Sequence, residues 1–335
     1  MSELVVVTGV SGFVGMQITA TALNAGYQVR ATLRKPNQAE KLTDLISKVA
    51  STKNLEFATA DLLSDQGWDQ ALEGADFVIH AASPLILGKV EDESDLIDPA
   101  VKGTKRVLDA ALKQKVKRVV ITSTGLTVAG HITEGAAGPD DFTPIDFPGV
   151  NLYTKSKIMA EQVALEFASA NPAGPAITTI HPGVIIGPPL NPDEDSESIG
   201  LFKGIWQGKQ PAVPAISFPM ADIRDVADVH VSALAETEGG LRRYLVSFTT
   251  EPQLLPQIAQ VLRANGHKKA PRLTIPIPVL KFLSRFNPEI KSLVESTEGK
   301  TMMLDCSATM GNLDWKPMSF EQSVLDTAAA LEGNA

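Results

Sequence analysis

The stretch Leu4-Val5-Val6-Val7-Thr8-Gly9-Val10-Ser11-Gly12-Phe13-Val14-Gly15 decides how the chain is read. A short β-branched run predicts a strand buried on both faces. The glycines that follow stand three residues apart and open a segment of helical period. Gly9 allows a tight turn, Gly12 lets the backbone approach a pyrophosphate, and Gly15 lets the helix pack closely on the strand. A helix N-terminus at that point offers free N–H groups and partial positive charge to an anion. Gly9, Ser11, Gly12, Phe13, Val14 and Gly15 are therefore the first candidate contacts to a dinucleotide.

Outward from this turn, short apolar runs alternate with longer helical segments, the arrangement of βαβ units around a parallel sheet. Strands are expected at Leu4 to Val7, Val29 to Leu33, Leu55 to Ala58, Phe77 to Ile79, Val119 to Ile121, Ile177 to Ile180 and Tyr244 to Ser247. Helices are expected near Gly12–Ala25, Gln38–Val49, Asp65–Leu72, Leu96–Lys113 and Leu152–Ala170, and another from Val226 to Ala235 with Asp225 as its cap. The fold class is α/β, a Rossmann-type doubly wound parallel sheet with a smaller, discontinuous C-terminal substrate-binding part. The boundaries drawn are 1–183 with 221–249 for the nucleotide domain, and 184–220 with 250–335 for the substrate part.

The chain has 335 residues, 44% hydrophobic and 21% charged, enough to bury a sizeable core. A formal net charge of −9 opposes attraction to nucleic acid or an anionic membrane surface. Cys306 is the single cysteine, so no intrachain disulfide can form and a multi-thiolate metal site is excluded. No apolar stretch approaches the roughly 20 residues that span a bilayer, and Met1-Ser2-Glu3 carries no secretion signal. The expectation is a cytoplasmic enzyme, monomer or homodimer, acting on a small molecule.

The second strand runs into Leu33-Arg34-Lys35-Pro36 with no carboxylate to hold a ribose 2′-hydroxyl. Arg34, Lys35 and Lys41 suit a 2′-phosphate instead, which points to NADP(H) rather than NAD. Asp61 and Leu62, after the third strand, could contact the adenine, or Asp61 could cap its own turn.

Tyr153-Thr154-Lys155-Ser156-Lys157 opens a helix, and residues four apart share a face. Lys157 would place a cation near the Tyr153 hydroxyl, lower its pKa and reach the nicotinamide ribose. Tyr153 would then protonate a carbonyl oxygen. A third hydroxyl should come from the end of the fifth strand, where Ser123 and Thr124 both qualify. Adjacent strand residues face opposite ways, so one of the two is expected to serve. His80 and His181 follow strand ends and read as packed side chains, with no metal-ligand partner at useful spacing; no metal centre is expected.

These landmarks, with Ile79-His80-Ala81-Ala82-Ser83-Pro84, Val116 through Ser123, His181-Pro182-Gly183-Val184, Asp222-Ile223-Arg224-Asp225 and Leu313-Asp314-Trp315-Lys316-Pro317, span nearly the whole chain. The chain resembles the extended short-chain dehydrogenase/reductase superfamily, and within it the dihydroflavonol reductase, cinnamoyl-CoA reductase and methylglyoxal/aldehyde reductase group. The resemblance implies that Arg34 and Lys41 bind the 2′-phosphate, that Ala81, Ala82, Ser83 and Thr122 line the cofactor groove, and that Pro182, Gly183 and Val184 touch the nicotinamide side. It places Thr124 where such reductases carry a catalytic Ser. The Asn-Trp-Tyr-Cys-Tyr-type signature of plant cinnamoyl-CoA reductases is absent, since this chain has Val150-Asn151-Leu152-Tyr153-Thr154, which argues against a CoA thioester.

Leu126, Val128, Phe142, Phe147, Leu152, Leu190, Phe202, Trp206 and Phe218 are expected either to wall an apolar substrate pocket or to fill the small domain's core. The favoured function is reduction of an aldehyde or ketone. The alternatives are a sugar-nucleotide epimerase/dehydratase, a hydroxysteroid dehydrogenase, or a non-catalytic NADP(H)-binding redox sensor.

Overall fold

A computed structural model of the chain describes residues 2–84, 92–237, 239–300 and 302–333; Met1, with which the N-terminal reading began, lies outside them. The strands are β1 (Leu4–Thr8), β2 (Gln28–Leu33), β3 (Leu55–Thr59), β4 (Phe77–His80), β5 (Arg118–Thr122), β6 (Ala176–Pro182), β7 (Val184–Ile186), β8 (Ala212–Pro214), β9 (Met220–Asp222), β10 (Leu241–Val246) and β11 (Leu273–Ile275). The helices that matter below are α1 (Phe13–Asn24), α2 (Ala39–Ser47), α3 (Trp68–Ala71), α4 (Ser94–Lys113), α5 (Leu126–Ala129), α6 (Leu152–Ala170), α7 (Glu197–Trp206), α8 (Ile223–Ser232) and α9 (Pro256–Ala264).

Seven strands form one sheet in the order β10-β6-β5-β4-β1-β2-β3. Its registers run parallel, with Val5 beside Val29 and Phe77, and Val119 beside Val78 and Ile177. Val5, Val6 and Val7 have no exposed surface, as strands covered on both faces require. All seven expected strands are present in this sheet.

The chain divides into two compact units, 1–123 with 155–180 and 224–244, and 124–154 with 181–223 and 245–335. The boundaries drawn from the sequence put 124–154 with the nucleotide domain, whereas these residues group with the second unit. No linker marks the change, because the chain passes from one unit to the other inside β6, α6 and β10.

In the first unit, Val6, Val78, Val119 and Ile177 pack with Trp68, Leu72, Val107, Leu108 and Ala164 from the helices. In the second, Phe202 and Ile205 of α7 pack with Val213, Met220, Phe248, Ile258 and Leu262. The stretch between Pro182 and Pro219 thus contributes a ten-residue helix to a core.

Asp225 is not a cap. The helix starts at Ile223, so Asp225 lies in its first turn and is buried. The preceding Asp222 accepts a 2.6 Å hydrogen bond from the Ser323 hydroxyl, a partner 101 residues away that no local rule supplies.

Val128 and Phe202 are buried outright, and Trp206 and Phe218 lie against the Phe202 cluster, so these four belong to packing. Phe202→Ala should cost about 3–5 kcal/mol of stability, read by equilibrium denaturant unfolding. A stable variant with altered substrate KM would instead return Phe202 to the pocket.

Candidate active site

In the first unit the glycine turn is built by steric necessity. Gly9 has φ +78°, and a Cβ on it would stand 2.8 Å from Ala82 Cα. A Cβ on Gly15 would lie 2.2 Å from the Gly9 carbonyl oxygen. Gly12 differs, since a Cβ there would meet only the Gly9 oxygen at 3.5 Å, an ordinary contact. Gly12 is exposed and caps α1 with no side-chain hydrogen bond, and the first turn holds no acidic residue. The protein's own packing does not require glycine at position 12.

The loop after β4 is tied to this turn. The Ala82 N–H donates to Thr8 Oγ1 at 3.0 Å, and Thr8 Oγ1 lies 2.9 Å from His80 Nδ1. On the other side of the ring, Thr104 Oγ1 is 3.4 Å from His80 Nε2 and donates to the Ala100 carbonyl oxygen at 2.7 Å. This pattern makes Nε2 the donor and Nδ1 the acceptor of a neutral ring. Burial, reinforced by the Lys157 charge, pushes His80 down to about 3. His80 is a packed histidine, as expected, and it holds Ala82 beneath Gly9.

At the end of β2, Arg30 is committed to Glu56 and to the Ala71 and Glu73 carbonyls. Arg34 is exposed, with no hydrogen-bond or ion-pair partner among the described residues. Lys41 sits in the first turn of α2, also exposed. Asp61 accepts the Leu63 N–H at 2.9 Å, the turn-capping role held open for it, and the Leu62 carbonyl takes Arg106 at 2.6 Å.

Lys157, on α6, is buried and donates to the Thr122 carbonyl oxygen at 2.9 Å. Burial pushes its amine down to about 8, against the pull of the Glu161 carboxylate. The Thr122 hydroxyl lies 2.8 Å from His230 Nε2, while His230 Nδ1 donates to the Val226 carbonyl at 2.7 Å. His230 is pushed down to about 4, by burial first and by Lys157 as well. Ser123 donates to Glu161 at 3.3 Å, and Arg243 Nε holds the other Glu161 oxygen at 2.8 Å.

In the second unit Thr124 hydrogen-bonds the Tyr153 phenol. Ser123 is thus bonded to Glu161, and Thr124 is the hydroxyl that meets the phenol. Burial pushes Tyr153 up to about 12, with the Thr124 bond acting the other way. This overturns the expected lowering: removing a phenolate from water outweighs the stabilisation it receives. His181 is buried, with Nδ1 3.0 Å from Thr127 Oγ1, the packed role expected of it. The Pro182 carbonyl accepts Gly125 N–H at 2.8 Å and the Val184 N–H donates to Pro219 at 2.7 Å, while a Cβ on Gly183 would lie 2.3 Å from the Pro219 oxygen.

His230, Glu161 and Arg243 escaped the sequence reading. Glu161 had a signal, standing four residues beyond Lys157 on one helix. Arg243 had none, being 82 residues from its partner.

The pattern describing the NAD dependent epimerase/dehydratase family matches residues 5–246. The chain belongs to this family. Within it, a cinnamoyl-CoA reductase of Medicago truncatula is 34% identical over 73% of this chain and 76% of its own length. A ketoreductase of Aspergillus niger is 29% identical over 82% and 85%. Among solved structures, the yeast methylglyoxal/isovaleraldehyde reductase Gre2 complexed with NADPH superposes with a TM-score of 0.81 at 22% identity, covering 99% of this chain and all of that one. That last likeness is one of fold. No helix among the described residues is long and apolar enough to cross a membrane.

The glycine turn separates two substitutions. Gly15→Ala should lower the melting temperature of the ligand-free protein, because the Gly9 carbonyl must move. Gly12→Ala should melt near the parent yet bind dinucleotide at least about tenfold more weakly, a loss of about 1.4 kcal/mol. Calorimetry of both variants with and without NADPH reads the difference, and equal melting losses would remove the distinction.

Proposed function

We propose that this protein is an NADP(H)-dependent reductase that converts an aldehyde or ketone to an alcohol. Tyr153 is the general acid, Thr124 the hydroxyl that orients the carbonyl, and Lys157 the cation that serves the phenol and the nicotinamide ribose. The observation that carries this reading is the Thr124–Tyr153 hydroxyl pair, set one turn ahead of a buried lysine on the same helix.

The cofactor assignment rests on the uncapped N-terminus of α1, the open Gly12 and the uncommitted Arg34. The names of the relatives support it: two are reductases, and the Gre2 structure contains NADPH. Gly9, Ser11, Gly12, Phe13, Val14 and Gly15 would hold the pyrophosphate, Arg34 and Lys41 the 2′-phosphate, and Ala81, Ala82 and Ser83 the adjoining groove. Asp61 and Leu62 are assigned to the adenine, Thr122 and the 182–184 segment to the nicotinamide end.

When bound, the reduced nicotinamide supplies a hydride to the carbonyl carbon. Tyr153 gives its proton to the oxygen as charge gathers there, and Thr124 donates a hydrogen bond to the same oxygen. A phenol kept protonated by burial holds its proton through the ordinary pH range until that charge develops. With Val128, Phe202, Trp206 and Phe218 assigned to packing, half-buried Leu126, Phe147, Leu152 and Leu190 and exposed Phe142 are left to favour a carbonyl with an apolar substituent.

Screening NADPH oxidation against aromatic aldehydes, α-dicarbonyls, β-ketoesters and flavonoid ketones, with NADH in parallel, tests the reading. NAD retained through purification together with no NADPH turnover would favour an epimerase instead. Tyr153→Phe should lower kcat about 100-fold or more with little change in NADPH affinity. Arg34→Ser should raise the KM for NADPH about tenfold and leave that for NADH unchanged, a loss of about 1.4 kcal/mol. The Lys157 amine is charged below about 8 and neutral above it, so kcat/KM for NADPH should fall as pH rises through that value. A profile flat to pH of about 10, the range of an unperturbed lysine, would separate Lys157 from the reaction.

A further inference from the structure

The first unit holds a buried row of charged side chains that links β5, α6 and β10. Lys157 and Glu161 lie one turn apart on α6, and both reach the C-terminal end of β5. The ammonium takes the Thr122 carbonyl oxygen at 2.9 Å, and the carboxylate accepts the Ser123 hydroxyl at 3.3 Å. Arg243 of β10 then closes on the carboxylate from the far side at 2.8 Å, with both side chains of that pair about 95% buried.

A buried ion pair is weak evidence of stabilisation, since the same volume filled with apolar side chains is often as stable. The location of this one is what matters. Its carboxylate bonds Ser123, the residue after the one that accepts Lys157, and it sits on the helix that carries Lys157. His80 on β4 and His230 on α8 also couple to Lys157, and both are neutral at ordinary pH. Glu161 is therefore the charge that opposes the burial of the ammonium.

We propose that Glu161 is a positioning residue for Lys157: its carboxylate, clamped by Arg243 and Ser123, holds the Lys157 ammonium charged and directed at the Thr122 carbonyl. The proposal deepens the reductase reading, but the charge state of Lys157 is a property of the ligand-free protein and can be measured without turnover.

Glu161→Gln keeps the shape and the hydrogen bond from Ser123 and removes the charge. Competitive acetylation of the lysines with acetic anhydride across pH, read peptide by peptide by mass spectrometry, follows Lys157 in the cofactor-free chain. Its apparent pKa should fall by about one unit or more in Glu161→Gln and stay near the parent in Glu161→Asp. The alkaline limb of kcat/KM for NADPH should move to lower pH by the same amount, with kcat at low pH changed much less. If Glu161→Gln does not fold, the double variant Glu161→Gln/Arg243→Gln leaves no unpaired ion and should still lower the Lys157 pKa, because the carboxylate is the charge that acts on it.

A folded variant in which Lys157 titrates within about 0.3 unit of the parent overturns the proposal, whatever its activity. A parent protein that turns over no NADPH while the labelling shift is present would sink the reductase reading and leave this inference standing.

Discussion

An ammonium kept out of water must be surrounded by acceptors and by compensating charge, and the burial of Lys157 imposes that demand on the first unit. The Thr122 carbonyl meets part of it at the end of β5. Glu161 supplies the opposing charge, and Arg243 with Ser123 keeps that carboxylate in place. The helix, the strand end and β10 are thereby held together by four side chains. Because Lys157 is bonded to backbone, Thr122 keeps its hydroxyl for His230, which ties α8 to the end of β5.

The glycine turn is held by a different kind of contact. Gly9 and Gly15 exist because backbone atoms come too close for any side chain, whereas a Cβ on Gly12 would make only an ordinary contact. The relay from Ala82 through Thr8, His80 and Thr104 to Ala100 links the loops after β1 and β4 to α4. Two histidines that could have been taken for ligands or acid–base groups, His80 and His230, are neutral structural links whose burial removes them from titration near neutral pH.

Much of this architecture was legible in advance. The seven sheet strands were legible because a strand covered on both faces is an uninterrupted apolar run, and α6 spans the nineteen residues expected of it. Shorter elements were read less well. The helix expected over Asp65–Leu72 is only Trp68–Ala71, and the helix expected from Val226 begins three residues earlier, at Ile223. Apolar residues after position 120 could not be sorted into pocket and core, since hydrophobicity is the same in both places. Val128 and Phe202 proved to be interior.

The sequence alone determined what depends on neighbours along the chain: the order of strands and helices, the glycine turn, the cationic end of β2, and the four-residue spacing of Tyr153 and Lys157. Tertiary structure decided what depends on burial and on distant partners. It gave Ser123 to Glu161 and Thr124 to the phenol, brought Arg243 to a carboxylate 82 positions away, and reversed the direction expected for the pKa of Tyr153. The reason is physical. Helical and strand periods are local geometry, whereas the energy of a charge is set by how much water the surrounding fold removes from it.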